Sequence, residues 1–252
     1  MTVPERALVL IATYEERENL PALLDELLAL PSFDILVIDD SSPDGTGELA
    51  DARAGTEPRL TVLHRPPKSG VTSAHLLGFR YVLEHGYDLL VEMDADFSHR
   101  PQDVPRLLAA CETADIAIGS RAVPGSCIVG RSPFRNVLTR LGCAYARRLL
   151  GLSVRDCTAG YRCTRRAALE VIDFSRIRSR GYGFQLELNH AWMRAGMRFA
   201  ELPITFADRV RGESKMSSRI MVEALLIVLR LRLTPAALRS SPALRPATRV
   251  PA

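Results

Sequence analysis

Two aspartates separated by one small residue, Asp94 and Asp96, directly follow the short apolar run Leu89–Met93. Carboxylate oxygens at this spacing can bind Mg²⁺ or Mn²⁺, which prefer hard oxygen ligands. An ion held there would bridge the phosphates of a nucleotide and take up the negative charge that develops on a diphosphate leaving group. The pair alone is weak evidence, because a single acidic strand end is usually a turn or a helix cap.

Three other polar clusters stand at the ends of apolar runs. Thr13–Glu16 follows the first run, Asp39–Ser42 ends the second, and Ser120-Arg121 ends the fifth. Ligands of open α/β sheets bind beyond the carboxyl ends of the strands, so we expect the four clusters to meet at one crevice. The sequence therefore predicts a ligand site at one edge of a sheet.

Five short runs rich in Val, Ile and Leu must position these clusters, and we predict them to be strands: Leu8–Ala12, Ile35–Asp39, Leu60–His64, Leu89–Met93 and Ile116–Ser120. Amphipathic segments with leucine or alanine at helical spacing separate the runs, at 18–30, 45–53, 72–85 and 104–111. Near-continuous apolar strands separated by helices are typical of buried parallel strands. The predicted fold class is α/β, a single domain over residues 1–233 with a mostly parallel central sheet flanked by helices.

The composition excludes several classes of protein. The chain has 252 residues, of which 47% are hydrophobic and 25% charged, as in an ordinary globular protein and unlike collagen or a disordered chain. It lacks the run of roughly 18 to 20 apolar residues that a membrane-spanning helix requires. Five cysteines without a Cys-x-x-Cys pair predict free thiols in a reduced, cytosolic setting. Neither Gly-x-Gly-x-x-Gly nor a Walker P-loop is present, which argues against dinucleotide-binding and P-loop enzymes.

The C-terminal part of the chain is basic. From Ala207 to the end, nine basic residues face three acidic ones, although the net charge of the whole chain is only +4. This balance predicts a phosphate, nucleic acid or anionic membrane partner, or else a solvated basic tail. The apolar segment Ile220–Leu233 is too short to span a bilayer and predicts an amphipathic helix that either lies in the membrane interface or caps the core. Residues 234–252, rich in Pro, Ser and Arg, are predicted to be disordered.

The ordered set of motifs is similar to that of the family-2 glycosyltransferases of GT-A fold. The early motifs are Tyr14-x-Glu16-Arg17-Glu18-Asn19-Leu20, Asp39-Asp40-Ser41-Ser42-Pro43-Asp44-Gly45-Thr46, Met93-Asp94-Ala95-Asp96-x-Ser98-His99 and Gly119-Ser120-Arg121. Two later motifs narrow the resemblance to the polyprenyl-phosphate (dolichyl-phosphate) mannose synthases, especially the actinobacterial ones: Asp156-x-Thr158-x-Gly160-Tyr161-Arg162 and Phe206-x-Asp208-Arg209-x-x-Gly212-Glu213-Ser214-Lys215. The resemblance spans roughly Ala7 to Leu233.

This resemblance implies an inverting transfer of mannose from GDP-mannose to a polyprenyl phosphate, with Mg²⁺ or Mn²⁺ as cofactor. It also implies a cytoplasmic protein, peripheral on the inner face of the plasma membrane, with a separate membrane subunit as a further partner. The chemistry suits the residues, because an acceptor phosphate with a second pKa of about 6 is already largely ionised near neutral pH. Such a reaction needs positioning by arginines more than it needs a strong general base.

The resemblance assigns roles to particular positions. It places catalytic residues at Asp96, Arg121, Arg135, Arg209 and Lys215, and metal ligands at Asp94, Asp96 and Ser98. It places substrate-binding residues at Ala12, Tyr14, Glu16, Val37, Asp39, Asp40, Lys68, Asp94, Ala95 and Thr139. Arg135 and Thr139, four residues apart and so on one helical face, match a pair that binds the acceptor phosphate.

Three nearby features are interpreted from the residues alone. His99, which adjoins the aspartate pair, is interpreted as a cap or an orienting residue rather than a catalytic one. Asp156 and Arg162 form either a structural ion pair under the crevice or a part of the site. The aromatic residues of segment 182–192 are interpreted as core.

The sequence departs from the family pattern at several positions near the sugar donor and the acceptor. Ala12 stands where proline is usual and Glu15 where asparagine is usual, and the loops 68–72, 122–127 and 132–134 are altered. A second hypothesis therefore keeps the same chemistry but uses another nucleotide sugar or a soluble acceptor. A third is a non-catalytic partner that binds a nucleotide sugar or a membrane. No nucleic-acid recognition motif accompanies the basic charge, so nucleic acid is not an expected partner.

Overall fold

The structure, a computed structural model, describes residues 5–67, 69–179, 181, 183–208 and 218–233, the residues 218–224 by their backbone alone. Three predicted site residues, Lys68, Arg209 and Lys215, lie outside the described residues. The predicted disordered tail, 234–252, also lies outside them, as does Tyr182.

A seven-stranded sheet forms the centre of the fold. Its strands are β1 (Ala7–Thr13), β2 (Asp34–Asp39), β3 (Leu60–His64), β4 (Leu89–Met93), β5 (Ile116–Ser120), β7 (Arg162–Arg165) and β8 (Phe199–Pro203), in the spatial order β3-β2-β1-β4-β7-β5-β8. Neighbouring strands are parallel except that β7 runs antiparallel to both β4 and β5. Two short strands, β6 (Cys127–Val129) and β9 (Thr205–Ala207), pair separately. The predicted α/β fold class and all five predicted strands are confirmed.

Helices cover both faces of the sheet. They are α1 (Leu20–Leu28), α2 (Thr46–Ala54), α3 (Val71–His85), α4 (Val104–Ala110), α5 (Pro133–Leu150), α6 (Arg166–Glu170), α7 (Gly183–Arg194) and α8 (Ser218–Leu233). Alternate residues of each strand point to opposite faces, so Val9 and Ile11 pack with α1 and α4, while Leu8 and Leu10 pack with α3, α6 and α7. Trp192 and Phe184, as predicted, lie in the core.

Helix α3 packs so closely on β1 that position 78 has no room for a side chain. A Cβ at Gly78 would overlap the Cδ methyl groups of Leu10, whereas a Cβ at Gly142 in α5 would meet open space. We expect Gly78→Ala to lower the free energy of unfolding by about 1–3 kcal/mol through overpacking. Gly142→Ala should instead raise it by up to about 1 kcal/mol, because alanine is the better helix former. Urea unfolding of both variants checks this, and a stabilised Gly78→Ala protein would contradict the close packing.

The C-terminal helix α8 packs one side against the core, as one of the two arrangements predicted for it requires. Ile227 and Val228 are buried, and Val228 packs with Cys143 and Ala146 of α5. The other side of the helix is exposed, at Leu225, Leu226, Leu229 and Leu233. None of the helices in the described ranges has the length and apolar character needed to cross a membrane.

Candidate active site

The four polar clusters meet at one edge of the sheet, as predicted. Strands β1, β2 and β4 are adjacent and parallel, and Thr13 stands beside Asp39 while Ile11 stands beside Met93. Strand β5 runs in the same direction as β4, because the strand between them, β7, is antiparallel to both. The residues after these four strand ends therefore line a common crevice.

Buried carboxylates shape the β2 side of this crevice. Asp39 is 1% exposed. It accepts hydrogen bonds from Thr13 Oγ1 at 3.1 Å and from the backbone N–H and hydroxyl of Ser42 at 2.9 and 2.5 Å. Asp40 accepts from Arg65 Nε at 2.9 Å and from the backbone N–H of Gly70 at 3.0 Å. Both carboxylates are thus engaged by the protein and fix the loops around the crevice.

The other predicted residues of the β1 and β2 ends differ in exposure. Ala12, Tyr14 and Glu16 are half-buried at the crevice, and Glu16 Oε2 accepts from Asn19 Nδ2 at 2.8 Å. Val37 lies fully buried in the core, so in this conformation it supports β2 rather than lining the crevice.

The two aspartates after β4 have different environments. The side chain of Asp94 is 41% exposed and opens into the crevice. Asp96 is buried, and its Oδ1 accepts from the backbone N–H of Ser98 at 3.0 Å and from the Ser98 hydroxyl at 2.6 Å. Ser98 therefore orients Asp96, while Ala95 between the aspartates packs into the core. The loop turns at Phe97, whose φ of 59° lies in the left-handed region.

His99 holds the aspartate loop in place. Its Nδ1 accepts a hydrogen bond from the backbone N–H of Asp94 at 3.1 Å, so the ring proton is assigned to Nε2. The ring stacks on Tyr161 with centroids 4.7 Å apart. Burial lowers the pKa of His99 despite the opposing charges of Asp94 and Asp96, which keeps the imidazole neutral. The contacts give His99 the orienting role that the sequence indicated.

An arginine fork closes the β5 end of the crevice. Arg121 donates from Nε and Nη2 to the two oxygens of Asp156, each at 2.7 Å, and from Nη2 to Thr158 Oγ1 at 2.9 Å. Burial acts to lower the pKa of Arg121, but the Asp156 charge and hydrogen bonds raise it above its ordinary value. Burial acts to raise the pKa of Asp156, and Arg121 holds that pKa below its ordinary value. Both groups are therefore ionised near neutral pH.

Of the two alternatives given for Asp156 and Arg162, the ion pair between them is wrong. Asp156 binds Arg121, whereas Arg162 lies on β7 with its Nε 3.5 Å from Glu92 Oε2, and both of these residues are fully buried. The guanidinium of Arg162 also lies over the Trp192 ring at 5.4 Å. The physical reason is the insertion of β7 between β4 and β5, which aims Arg162 into the core below the crevice.

Helix α5 contributes the remaining polar groups. Ser132 caps the helix by accepting from the backbone N–H of Arg135 at 3.3 Å. Arg135 Nη1 donates to Asp208 Oδ2 at 2.8 Å, and Thr139 Oγ1 accepts from Arg131 Nη2 at 2.9 Å. Arg135 and Thr139 share one helical face, as their spacing predicted.

Comparison with known proteins identifies this arrangement. The sequence model described as "Glycosyl transferase family 2" matches residues 8–173, about two thirds of the chain. The chain belongs to glycosyl transferase family 2. This glycosyltransferase is 50% identical over 226 residues to an undecaprenyl-phosphate mannosyltransferase of Micrococcus luteus, covering 89% of this chain and 93% of that protein. It is 48% identical to a polyprenol monophosphomannose synthase of Mycolicibacterium smegmatis, covering 89% and 86%. It is therefore a member of the polyprenyl-phosphate mannose synthases.

Solved structures share the fold of the glycosyltransferase. Glucosyl-3-phosphoglycerate synthase of Mycobacterium tuberculosis, in complex with Mn²⁺, UDP-glucose and phosphoglyceric acid, superposes with a TM-score of 0.67 at 18% identity, covering 92% of this chain and 81% of that one. A mannosyltransferase of Pyrobaculum calidifontis, in complex with GDP-mannose and Mn²⁺, gives a TM-score of 0.60 at 19% identity, covering 96% and 66%. These similarities establish a GT-A fold.

The residues after β4 of the glycosyltransferase fit a divalent cation. Asp94 presents an exposed carboxylate, and Asp96 stands two residues away with one oxygen fixed by Ser98. Within the described part of the chain, no group of three or more His, Cys, Asp or Glu side chains is arranged as a metal site. The chain would thus supply two carboxylates, since the hydroxyl of the third predicted ligand, Ser98, donates to Asp96. Phosphate oxygens and water would complete the coordination, as is usual for Mg²⁺ in sites that handle phosphates.

Two residues that contact this arrangement were not identified from the sequence of the glycosyltransferase. Glu201 on β8 accepts from the backbone N–H groups of Arg155 and Asp156 at 2.7 and 3.0 Å, and so fixes the partner of Arg121. No local pattern marks this long-range contact. Arg131 could have been found, because it directly precedes a Ser-Pro helix start and stands four residues before Arg135.

Proposed function

We propose that this glycosyltransferase transfers mannose from GDP-mannose to the phosphate of a polyprenyl phosphate, with inversion, giving polyprenyl β-mannosyl phosphate. The observation that supports the proposal is the meeting of the exposed Asp94, its buried neighbour Asp96 and the Arg121–Asp156 fork at one edge of the sheet. The names of the relatives at 48–50% identity support the same sugar and the same class of acceptor.

Different residues along the crevice have different roles in the proposed transfer. An acceptor phosphate oxygen is the nucleophile, and it attacks the anomeric carbon on the face opposite the departing GDP, which accounts for inversion. Arg135 and Thr139 would hold that phosphate, and Arg121, fixed by Asp156, would stand between it and the diphosphate. Because a phosphate with a second pKa of about 6 is already anionic, no general base is required.

We propose that Asp94 and Asp96 hold a Mg²⁺ or Mn²⁺ ion with the diphosphate of the sugar donor. Such an ion supplies positive charge where negative charge develops on the leaving GDP. The chain's part is to keep both carboxylates in place, through the Ser98 hydroxyl and the backbone contact between Asp94 and His99.

A direct transfer assay tests the proposed function. Purified protein is incubated with radiolabelled GDP-mannose, a polyprenyl phosphate and either Mg²⁺ or Mn²⁺, and lipid-extractable label is counted; proton-coupled NMR assigns the anomer. We expect a metal-dependent β-linked product. If GDP is released with a soluble acceptor and no lipid product forms, the acceptor is a soluble molecule and not a polyprenyl phosphate. If another nucleotide sugar is preferred, the transferred sugar is not mannose.

We also propose that the protein works at the inner face of the plasma membrane through an apolar face of α5 and α8. Phe134, Val137 and Leu141, spaced as one stripe on α5, are 75%, 53% and 63% exposed. Helix α8, which packs against α5 through Val228, adds exposed leucines at 225, 226, 229 and 233. Arg230 and Arg232 accompany the leucines, as expected for a helix lying among anionic headgroups.

Vesicle co-sedimentation checks the membrane proposal. We expect Phe134→Ser with Leu141→Ser to lower binding to anionic vesicles by on the order of tenfold, because each change removes apolar surface that would be buried in the lipid. Val171→Ser, at a residue 41% exposed after α6, is the matched control and should bind as the wild type does. Wild-type binding to native membranes but not to protein-free vesicles would point instead to a separate membrane subunit.

A further inference from the structure

Arg131 occupies a fixed position beside the proposed acceptor site. Gly130, with a φ of 79°, ends β6 in a left-handed turn, and Ser132 caps α5 immediately afterwards. The pairing of β6 with β9 brings Asp208 to the same place, since its backbone N–H donates to Val129 O at 2.8 Å. The two arginines Arg131 and Arg135 thus start from neighbouring positions and are both half-buried.

The hydrogen bonds of the two arginines differ in kind. Arg135 donates to a carboxylate, Asp208 Oδ2 at 2.8 Å, whereas Arg131 donates to a neutral hydroxyl, Thr139 Oγ1 at 2.9 Å. A hydroxyl that accepts from a guanidinium keeps its own proton to donate elsewhere. The Thr139 hydroxyl can therefore donate its proton in a hydrogen bond to a ligand.

Arg131 forms no ion pair with a carboxylate of the described residues. Arg121 pairs with Asp156 and Arg135 pairs with Asp208, while no carboxylate among the described residues lies within 4.0 Å of the Arg131 guanidinium. Burial, and repulsion from Arg121 and Arg135, lower the pKa of Arg131 and outweigh the opposing charges of Asp208 and Asp156, so Arg131 lies within electrostatic reach of both other guanidiniums. An anion placed among them would relieve this repulsion.

We propose that Arg131 is a further acceptor-binding residue, which binds the phosphomonoester of the acceptor together with Arg135 and directs the Thr139 hydroxyl toward it. This inference rests on the proposed function. The phosphomonoester is favoured over the sugar donor's diphosphate because Arg131 contacts α5, whose exposed apolar stripe offers a surface for a prenyl chain. The aspartate pair follows β4, whereas Arg131 stands between β6 and α5.

Steady-state kinetics with a short acceptor that requires neither detergent nor membrane test the inference. With farnesyl phosphate, Arg131→Gln should raise the acceptor KM about tenfold or more and leave the KM for GDP-mannose and the melting temperature unchanged. Arg131→Lys, which keeps the charge but loses the planar fork, should recover part of the loss. Arg140→Gln, which removes an equal charge from an exposed position on α5, is the control and should change neither KM.

A double-mutant cycle and a binding measurement complete the design. Thr139→Val should also raise the acceptor KM, and in that background Arg131→Gln should have a smaller effect because the two residues act together. Calorimetric titration of farnesyl phosphate without sugar donor should show the same loss of affinity in Arg131→Gln. An unchanged farnesyl phosphate affinity, or a rise in the GDP-mannose KM alone, would overturn the inference. If wild-type protein binds farnesyl phosphate but transfers no mannose, the proposed function is wrong. The comparison of farnesyl phosphate affinity between wild type and Arg131→Gln still tests the inference in that case.

Discussion

Asp94→Asn is expected to lower mannose transfer on the order of 10³-fold while leaving the protein folded. The substitution keeps the size of the side chain but removes the negative charge and one hard oxygen ligand from the proposed metal and diphosphate site. Because the Asp94 side chain is 41% exposed, the fold depends little on its charge. The turnover number should therefore collapse with little change in melting temperature.

The matched variants separate charge from packing. Asp96→Asn should cause a similar loss of activity, because Asp96 is the second proposed ligand. Ser98→Ala removes only the hydroxyl that donates to Asp96 Oδ1 at 2.6 Å, and a smaller loss of about tenfold is expected. Activity is followed by lipid-extractable label over a titration of Mn²⁺, and folding by thermal unfolding. Full activity of Asp94→Asn at low Mn²⁺ would rule out the proposed role of the pair, as would full wild-type activity after chelation with EDTA.

The sheet and the aspartate pair could be predicted because both depend on local sequence. Strands such as Ile35–Asp39 and Leu89–Met93 are buried on both faces, so they appear as apolar runs without alternation. The polar clusters follow those runs directly. Once the strands are parallel, their convergence at one edge is a consequence of topology.

The partners of the buried charges could not be predicted, because they join residues far apart in sequence. Strand β7, Arg162–Arg165, has no apolar run to mark it, yet its position between β4 and β5 decides that Arg162 meets Glu92. The same insertion leaves Asp156 facing Arg121, 35 residues away. A motif gives the residue types of a site, whereas the pairing of charges depends on the strand order.

The ion pair of Arg121 and Asp156 is expected to dominate the stability of the site. Asp156→Asn leaves a buried guanidinium without its counterion, and we expect the free energy of unfolding to fall by about 3–5 kcal/mol. The exposed pair of Arg53 and Asp25, with an N–O distance of 2.7 Å, is the control. Asp25→Asn should cost less than about 1 kcal/mol, because water screens that pair. Urea unfolding at neutral pH measures both variants.

The pH dependence of the stability difference between wild type and Asp156→Asn shows whether that difference is electrostatic. The folded-state pKa of Asp156 lies below its ordinary value of 3.8, so the folded protein favours the ionised carboxylate. The ionised Asp156 therefore makes its full contribution to the free energy of unfolding at pH values well above 3.8. That contribution is lost as the pH falls through the lower folded-state pKa. The stability gap between wild type and Asp156→Asn should be constant from about pH 8 to about pH 5 and should narrow on further acidification.

Activity and stability should then fall together in Asp156→Asn, in contrast to Asp94→Asn. Arg121 depends on Asp156 for its orientation, through two bonds of 2.7 Å, so a folded remnant of the variant should still transfer mannose poorly. Arg121→Gln with Asp156→Asn removes both charges, and should recover stability relative to the single Asp156 variant but not activity. Recovery of activity in that double variant would mean that Arg121 only stabilises the fold. If Arg121 binds the reacting phosphates, restoring stability without it cannot restore activity.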